Sequence, residues 1–283
     1  MTRRWLVTGC SSGLGRALAE AVAEAGDRLV ATARRPAVLR DLATRFPDLV
    51  TTAALDVRDA GQCEAAVAHA VERFGGVDVL VNNAGAGLFG ALEEVGDDEL
   101  RDQLEVLAVA PARLARLVLP HMRRQGGGHI VNVSSLAGRV GFPGLSAYVA
   151  GKYALEGMSQ VLAAEAAPFG IRVTAVEPGG FATRYGAALA RTAAQVPAYA
   201  DVTRDMRAAL SGMADDPAMN RPEMFAAQVL RLVGARAAPV RVPVGADAFA
   251  FLEAAEAAAR DELTAARALL HDPETTTATA PVA

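Results

Sequence analysis

Two patterns of apolar residues alternate along the chain. Short apolar runs, typical of buried strands, are followed by longer stretches in which apolar residues recur every three or four positions, as on one face of a helix. The first long stretch begins at Leu14 and ends before Gly26, a residue type that commonly follows the last turn of a helix. A later stretch begins at Asp59, and Gln62 three residues on completes the pair expected at a helix amino terminus. The pattern therefore predicts strands and helices in regular alternation.

This alternation predicts an α/β fold with a single Rossmann-type, doubly wound sheet. Strands separated by helices need crossover connections and so form a parallel sheet, and uninterrupted apolar runs indicate helices on both of its faces. We predict strands over 4–8, 29–33, 50–55, 77–81, 129–133, 171–176 and 240–244, and helices over 14–25, 36–45, 59–74, 98–124 and 146–167. Residues 180–222 fit no strand pattern and are predicted to form a helical substrate lid, whereas 272–283 are predicted to be a disordered tail.

Composition limits the class of protein. The chain has 283 residues, of which 52% are apolar, so it can bury a core, and we expect one domain over 1–271. The net charge is −4 and the arginines form no cluster, so no nucleic acid partner is expected. No uncharged run reaches the roughly 18 residues of a membrane span, and the apolar run after Arg4 is too short for a signal peptide. We therefore expect no membrane partner and a cytoplasmic location.

Cysteine and histidine spacing does not favour a metal site. Cys10 and Cys63 lack the spacing of metal ligands, and two cysteines cannot form a disulfide framework. The four histidines include no pair four positions apart. We expect no metal.

A glycine-rich segment lies between the first predicted strand and its helix, and it reads Thr8-Gly9-Cys10-Ser11-Ser12-Gly13-Leu14-Gly15. Backbone N–H groups at such a helix start suit the binding of a pyrophosphate. Three glycines are also typical of a tight turn with positive φ angles, so the segment alone leaves both interpretations open.

Tyr148 and Lys152 lie four positions apart in a predicted helix, so their side chains share one face. Lys152 is the single lysine in the chain, which otherwise uses arginine, and this favours a site that needs a compact ammonium group. A nearby ammonium is expected to lower the phenol pKa of Tyr148, and this would make the phenol a proton donor or acceptor near neutrality. The alternative is an accident of composition.

These motifs together resemble the short-chain dehydrogenase/reductase family, over about residues 4–245. The glycine spacing Gly-x-x-x-Gly-x-Gly, the Tyr-x-x-x-Lys pair and Asn82-Asn83-Ala84-Gly85 after the fourth strand match the family pattern. Asp56-Val57, Pro178-Gly179 and Phe181-Ala182-Thr183 match its other cofactor-contacting segments. The sequences Thr-Gly-Cys-Ser-Ser-Gly and Ala-Thr-Ala-Arg are most similar to the NADP-using ketosteroid and retinoid reductase branch.

The resemblance implies a set of site residues. Ser135, Tyr148 and Lys152 are expected to be catalytic, with Ser135 holding the substrate oxygen and Lys152 also holding the nicotinamide ribose; a serine in this place also suits a turn cap. The residues expected to bind the cofactor are Gly9, Ser11, Ser12, Gly13, Leu14, Gly15, Arg34, Asp56, Val57, Asn83, Ala84, Gly85, Tyr148, Lys152, Pro178, Gly179, Phe181 and Thr183. The family also implies a homo-oligomer, a dimer or a tetramer.

The residues after the second strand indicate which cofactor is used. An acidic side chain there would favour NAD, but the chain has Ala33-Arg34-Arg35. Arginine favours NADP(H) because it forms charge-assisted hydrogen bonds with a phosphate, and the resemblance implies that Ser12 adds a hydroxyl to the same phosphate. The alternative is that one or both arginines are only solvated.

One position departs from the family pattern. The family usually carries a fourth catalytic residue, an asparagine thought to hold a water that links the lysine to solvent, and alignment places Leu107 there. No asparagine occurs between Asn83 and Asn132. The departure leaves open another proton relay, slow turnover, or chemistry without net proton exchange.

The sequence thus predicts an NADPH-dependent oxidoreductase that reduces a carbonyl of an apolar, medium-to-large small-molecule substrate, or oxidises the alcohol, with Tyr148 as proton donor. Arg139 and Arg184 would suit an acidic substrate if they are not simply solvated. The alternatives are a non-redox epimerase, cyclase or dehydratase on the same fold, and a non-catalytic NADP(H)-sensing protein. The apolar residues expected near the substrate are Val140, Phe142, Leu145, Phe181, Tyr185, Leu189, Val196, Tyr199, Met206, Leu210, Met213 and Met219.

Overall fold

A parallel sheet of seven strands lies at the centre of the computed structural model, which describes residues 2–270. A second, two-stranded sheet is formed by the short strands β5 and β8. The strands of the described residues are β1 (Arg4–Val7), β2 (Arg28–Ala33), β3 (Val50–Ala54), β4 (Val79–Asn82), β5 (Leu88–Phe89), β6 (Gly128–Val133), β7 (Ile171–Pro178), β8 (Ala190–Arg191) and β9 (Arg241–Val244).

Helices connect the strands and cover both faces of the main sheet. The α-helices of the described residues are α1 (Gly13–Glu24), α2 (Arg40–Arg45), α3 (Ala60–Phe74), α4 (Asp97–Leu104), α5 (Ala110–Gln125), α6 (Ser146–Ala166), α7 (Arg204–Gly212), α8 (Pro222–Gly234) and α9 (Ala246–Leu270). None of these helices is long and apolar enough to cross a bilayer.

The strand order is β3-β2-β1-β4-β6-β7-β9, with every neighbouring pair parallel. The chain runs outward in one direction from β1 through β2 and β3, and in the other from β4 onward. The order therefore reverses between β1 and β4, where a doubly wound sheet leaves a crevice at the carboxyl ends of its strands. The predicted fold is confirmed, and the seven predicted strands differ from the observed ones by at most two residues at either end.

Successive side chains of each strand pack against opposite layers of helices. Trp5 and Val7 of β1 belong to the core under α1 and α8, whereas Leu6 between them belongs to the core under α3 and α5. All three side chains are at most 1% exposed. Burial on both faces explains why the strands read as continuous apolar runs.

The long helix predicted over 98–124 is interrupted in the structure. It consists of α4, a five-residue π-helical turn over Glu105–Val109, and α5. Pro111 has no N–H to donate to the carbonyl of Leu107, and its ring would clash with that carbonyl in a regular α-helix. The wider π turn relieves this conflict.

Leu107, in the π turn, is buried between two glycines from other segments. Its side chain is 1% exposed and lies against Gly151 of α6 and Gly85 of the loop after β4. It belongs to a third apolar cluster that also contains Tyr148. A leucine here thus fills the space beside α6 with apolar atoms.

The segment over 180–222 differs in one respect from the prediction that it contains no strand. It holds α7 and two 3-10 turns, but β8 also pairs with β5 in the loop after β4. This strand has two residues, too few for an alternating pattern in the sequence. Gly87 and Gly90 permit the approach, because a Cβ on either would overlap with side chains of this segment.

The carboxyl-terminal helix α9 has no counterpart in the sequence prediction. It is rich in alanine, and of its 25 residues only Ala248 and Leu252 are buried. Without a sharp apolar face, its sequence shows no clear helical period. The predicted tail over 272–283 lies outside the described residues.

The packing of Leu107 generates a test with two glycines of the same helix. A Cβ on Gly151 would lie 2.8 Å from Leu107 Cβ, whereas a Cβ on Gly157 meets nothing within 4 Å. Gly157→Ala is expected to raise the free energy of unfolding by about 0.5 to 1 kcal/mol, because alanine favours the helix. Gly151→Ala is expected to lower it, because the methyl group forces Leu107 aside. Urea unfolding of the two variants checks this, and equal effects would contradict the packing.

A second prediction concerns His129, which is 1% exposed in β6. Its Nε2 lies 3.0 Å from Thr174 Oγ1. Burial, with the charges of Arg172 and Arg3, lowers the imidazole pKa from 6.5 to about 3. In the unfolded chain His129 therefore binds a proton below pH 6.5, whereas in the native chain it binds one only below about pH 3. The free energy of unfolding consequently falls as the pH drops from 6.5 toward 3.

The shifted pKa of His129 is expected to make the free energy of unfolding about 2 kcal/mol lower at pH 5 than at pH 7. His129→Gln should lose that pH-dependent difference, whatever its stability at pH 7. Urea unfolding at both pH values measures it, with His69→Gln as the control, at a half-buried histidine of α3 that bonds Thr51. The same pH difference in all three proteins would show that His129 does not carry the effect.

Candidate functional site

A cavity of about 870 Å³ opens at the carboxyl edge of the sheet, where the strand order reverses. All residues predicted from the sequence for catalysis or cofactor binding lie in its wall. They are Gly9, Ser11, Ser12, Gly13, Leu14, Gly15, Arg34, Asp56, Val57, Asn83, Ala84, Gly85, Ser135, Tyr148, Lys152, Pro178, Gly179, Phe181 and Thr183. The structure thus brings residues from six strand ends to one place.

The glycine-rich turn forms one end of the cavity. Gly9 and Gly13 have φ angles of +73° and +58°, which favour glycine. A Cβ on Gly15 would overlap with the Asn83 side chain and the Gly9 carbonyl, so the close approach of α1 to β4 also requires glycine. From the sequence, the segment could be a tight turn or an anion-binding site. The structure shows a tight turn that also brings the start of α1 to the cavity.

Asn83 ties this turn to the end of β4. Its Nδ2 donates hydrogen bonds to the carbonyls of Thr8 and Gly9, at 2.8 and 3.2 Å. In return, the Thr8 hydroxyl accepts bonds from the backbone N–H groups of Asn83 and Ala84, both at 2.9 Å. These bonds fix the cavity floor between β1 and β4.

The amino terminus of α1 suits an anion. The side chain of Ser12, its N-cap residue, makes no capping hydrogen bond, and the first turn of α1 holds no acidic residue. Ser11 and Ser12 are exposed. Thr183 closes over the turn, because a Cβ on Gly13 would lie 3.5 Å from its methyl group. The helix N–H groups and two hydroxyls fit the pyrophosphate of a dinucleotide.

Basic side chains dominate the rim of the cavity after β2 and β3. Arg34 is exposed in the cavity wall. Arg58 Nη2 lies 2.7 Å from Asp56 Oδ2, and this pairing, with a smaller effect of Arg34, lowers the pKa of the Asp56 carboxyl. The carboxyl group is thereby engaged by its own neighbour, and Arg34 faces the cavity as a cation.

Tyr148 and Lys152 project from α6 into the opposite end of the cavity. Lys152 Nζ donates a hydrogen bond to the Val133 carbonyl at 2.7 Å and lies 5.6 Å from the centre of the Tyr148 ring. Burial lowers the pKa of Lys152 from 10.5 to about 8, and the nearby Glu156 acts against this shift. The lysine is thus held beside the tyrosine by the end of β6.

The expected effect of Lys152 on Tyr148 is not found. Burial raises the phenol pKa of Tyr148 above 10.0, and the hydroxyls of Tyr185 and Ser135, rather than the ammonium, act against this shift. The physical reason is the depth of the phenol, which is 8% exposed, together with the orientation of Lys152 toward the Val133 carbonyl. Tyr148 is therefore a protonated phenol at neutral pH.

Ser135 lies at the end of β6 beside Tyr148. Its hydroxyl accepts a hydrogen bond from the Ala137 N–H at 3.1 Å and so caps the 3-10 turn over Leu136–Gly138. The same residue lines the cavity. The two interpretations of this serine are therefore compatible.

A buried acidic group behind Lys152 was missed in the sequence. Glu156 follows Lys152 by one turn of α6 and is 3% exposed, and neither of its carboxyl oxygens has a hydrogen-bond partner among the described residues. Burial raises the pKa of this carboxyl, and Glu177 adds to the effect. The i, i+4 spacing from Lys152 was a signal that could have found it.

The sequence left open whether Arg139 is simply solvated or contacts an acidic substrate, and the structure shows that it is not simply solvated. It pairs with the fully buried Glu177 at 3.1 Å and with Glu256 of α9 at 2.7 Å, and its side chain is 18% exposed. Arg139 therefore neutralises a buried carboxylate and lies outside the cavity wall. Arg184 is exposed and lines the cavity.

The remaining wall is mostly apolar. Of the twelve residues expected near the substrate, seven line the cavity, and Val140, Leu189, Val196, Tyr199 and Met219 do not. The seven are Phe142, Leu145, Phe181, Tyr185, Met206, Leu210 and Met213. Tyr199 instead donates its hydroxyl to Glu93 at 2.6 Å. A phenol, a serine hydroxyl and an amine thus adjoin an apolar space, an arrangement suited to proton transfer on an apolar substrate beside a bound dinucleotide.

Known proteins share both the sequence pattern and the fold. A family model described as short chain dehydrogenase matches residues 3–194. The oxidoreductase BOA17 of Botryotinia fuckeliana is 40% identical over 255 residues, which cover 88% of this chain and 90% of that protein.

Two solved structures are also similar. A short-chain dehydrogenase from Streptomyces avermitilis is 44% identical with a TM-score of 0.86, covering 93% of this chain and 95% of that one. An alcohol dehydrogenase from the archaeon Thermococcus sibiricus, complexed with 5-hydroxy-NADP, is 25% identical with a TM-score of 0.71, covering 86% and 96%. With more than half of its length matched by the family model, the chain belongs to the short-chain dehydrogenase/reductase family, whose members use nicotinamide cofactors.

Proposed function

We propose that this oxidoreductase uses NADPH to reduce a carbonyl of an apolar, medium-to-large substrate, or catalyses the reverse oxidation. The observation that carries the proposal is the placement of Ser135, Tyr148 and Lys152 at one end of a cavity whose other end is the glycine-rich turn at α1. The apolar wall between α7 and the loop after β6 supports an apolar substrate.

The proposed cofactor site runs along the cavity floor. The α1 N–H groups with Ser11 and Ser12 would hold the pyrophosphate, Asp56 and Val57 would flank the adenine, and Thr183 would contact the nicotinamide end. The bound nicotinamide supplies or accepts the hydride. Asn83 orients the turn on which the pyrophosphate would rest, through its bonds to Thr8 and Gly9.

Each catalytic side chain has a distinct proposed role. Tyr148, kept protonated by burial, would donate its phenol proton to the substrate oxygen. Ser135 would donate a hydrogen bond to the same oxygen. Lys152, fixed by the Val133 carbonyl, would place its positive charge beside the phenolate that Tyr148 becomes.

NADP(H) rather than NAD(H) is proposed from the rim of the cavity. No acidic residue directly follows β2, and Arg34 lies in the wall as an exposed cation. A guanidinium recognises a phosphate through charge-assisted hydrogen bonds. The Thermococcus sibiricus relative, complexed with 5-hydroxy-NADP, supports a site of this kind.

The arrangement of the whole chain is also proposed. We propose one catalytic domain in which the segment over 180–222 acts as the substrate lid. The outer face of α6 exposes Tyr153, Met158 and Val161, which supports a homo-oligomer formed through this helix. Cytoplasmic location stays a prediction from the sequence.

A second candidate is a non-redox reaction on the same site, such as epimerisation, cyclisation or dehydration. Leu107 favours it, because this buried leucine fills the space against Gly151 with apolar atoms and offers no group for a proton relay. Product formed without net consumption of the cofactor would distinguish this candidate from the reductase. A sensor without turnover has no need for Ser135, Tyr148 and Lys152 together.

Replacement of the proposed proton donor tests the reductase. Tyr148→Phe is expected to abolish NADPH oxidation across a panel of apolar ketones, quinones and aldehydes, because no other group at its position supplies the proton. The dissociation constant of NADPH should change little. Tyr199→Phe is the control and should keep full activity, because the Tyr199 hydroxyl bonds Glu93 and lies outside the cavity wall. Turnover retained by Tyr148→Phe would overturn the mechanism.

The cofactor proposal is tested at the rim. Arg34→Ala is expected to weaken NADPH binding by about tenfold to a hundredfold, the loss typical of hydrogen bonds to a charged group, and to leave NADH binding nearly unchanged. Arg35→Ala is the matched control, because Arg35 is exposed but lies outside the cavity wall. Calorimetric titration with both cofactors measures the effect. Equal weakening for NADPH and NADH would contradict the phosphate contact.

A further inference from the structure

The two ends of the proposed substrate lid meet at one point beside the cavity. Phe181 and Asn220 form an isolated parallel bridge, in which the Ala182 N–H donates to the Asn220 carbonyl at 2.9 Å. The Gly180 carbonyl accepts hydrogen bonds from the backbone N–H of Asn220 at 2.9 Å and from its Nδ2 at 2.8 Å. These four residues form a single hinge, at which the lid leaves the body of the protein and returns to it.

One carboxylate from another element binds both sides of this hinge. Asp247 lies in the first turn of α9. Its Oδ2 accepts a hydrogen bond from the Gly180 N–H at 2.7 Å, and its Oδ1 accepts one from Asn220 Nδ2 at 2.6 Å. Each oxygen thus binds a different end of the lid, and the start of α9 is tied to both.

Two glycines leave room for this carboxylate. A Cβ on Gly179 would lie 2.2 Å from Asp247 Oδ2. A Cβ on Gly245 would lie 2.7 Å from both Asp247 Oδ1 and Asn220 Nδ2. Gly245 also has a φ angle of +105°, which favours glycine. The backbone after β7 and the backbone before α9 therefore both need glycine where they approach Asp247.

The hinge is continuous with the cavity wall, whereas Asp247 is not part of that wall. The wall next to the hinge, where the nicotinamide end of the cofactor is proposed to bind, consists of Gly179, Gly180, Phe181 and Thr183. Asp247 is exposed and lies outside the wall. Any effect of this carboxylate on a bound cofactor must therefore pass through the backbone of the hinge.

We propose that Asp247 is a positioning residue, which holds the hinge so that the backbone after β7 and Thr183 present a fixed surface to the nicotinamide half of NADP(H). The inference rests on the proposed function, because it assumes that a nicotinamide cofactor occupies this end of the cavity. Both hydrogen bonds of Asp247 are exposed, so water can replace either of them at modest expense. Release of this carboxylate therefore loosens both ends of the lid together while the sheet stays folded.

Exchange of the two side chains tests this role. In Asp247→Asn one carboxylate oxygen becomes an NH2 group, which then faces a donor, either the Gly180 N–H or Asn220 Nδ2. In Asn220→Asp two carboxylates face each other. The double variant places an amide at position 247 against a carboxylate at position 220. It therefore restores the hydrogen bond between the two side chains, while the amide oxygen still accepts from the Gly180 N–H.

Calorimetric titration with NADP⁺ reports how well the hinge is held. Asp247→Asn is expected to weaken NADP⁺ binding about threefold to tenfold, the effect of one hydrogen bond, and Asn220→Asp at least as much. Adding Asp247→Asn to Asn220→Asp should then tighten binding about threefold relative to Asn220→Asp alone. Losses that simply add in the double variant would overturn the inference, because the two residues would not act as a pair.

A second ligand separates positioning of the hinge from general damage to the fold. Adenosine 2′,5′-bisphosphate carries the adenine end of NADP⁺ without the nicotinamide, so its affinity should stay within about twofold of wild type in all three variants. Asp261→Asn, at another exposed aspartate of α9, is the control and should bind both ligands as wild type does.

The remaining outcomes separate this inference from the proposed function. Equal weakening of both ligands by Asp247→Asn would overturn the inference, since Asp247 would then support the fold as a whole. Unchanged NADP⁺ binding by Asp247→Asn would overturn the inference alone, with the proposed cofactor site intact. A wild-type chain that binds neither ligand would overturn the proposed function, and this inference with it.

Discussion

The hydrogen bonds between Asn83 and the turn after β1 are the contact on which the rest of the site depends. Where the strand order reverses, the segments after β1 and β4 diverge and leave a gap in the sheet edge. Asn83 bridges this gap by donating to Thr8 and Gly9, while Thr8 accepts two bonds in return. Because these bonds hold both strand ends, the start of α1 and the residues after β4 form one rigid floor. This close approach requires glycine at position 15, because a side chain there would overlap with Asn83 and with the Gly9 carbonyl.

Burial, more than pairwise charge, determines the protonation of the groups above this floor. It raises the pKa of Tyr148, lowers that of Lys152 to about 8 and raises that of Glu156. Each shift favours the uncharged form of its group, as desolvation requires. The inner end of the cavity therefore favours uncharged groups, whereas its outer rim carries the guanidinium groups of Arg34 and Arg58. The proposed proton donor and the proposed phosphate contact thus lie in different electrostatic surroundings of one cavity.

Much of this arrangement follows from local sequence, and the rest from contacts between distant segments. The glycine-rich turn and the Tyr148–Lys152 pair are short motifs whose spacing already defines their geometry, so both were predictable, and so was the sheet from its apolar runs. The prediction that Lys152 lowers the pKa of Tyr148 was wrong, because this pKa depends on how deeply the phenol is buried and on the direction in which the Lys152 side chain points. The spacing of the two residues reveals neither. Glu177 and Arg139 meet across 38 positions, and β5 pairs with β8 across about a hundred. No periodicity in the chain encodes such encounters.

The scarcity of lysine has a practical meaning for protein chemistry. Lys152 is the single lysine in the chain, so it is the one side-chain amine that acylating or reductively alkylating reagents can modify. With a pKa of about 8, a large fraction of this amine is unprotonated and nucleophilic in mildly alkaline solution. It is also 6% exposed, at the inner end of the cavity. The extent to which a lysine reagent modifies this side chain therefore depends on how readily the reagent reaches the inner end of the cavity.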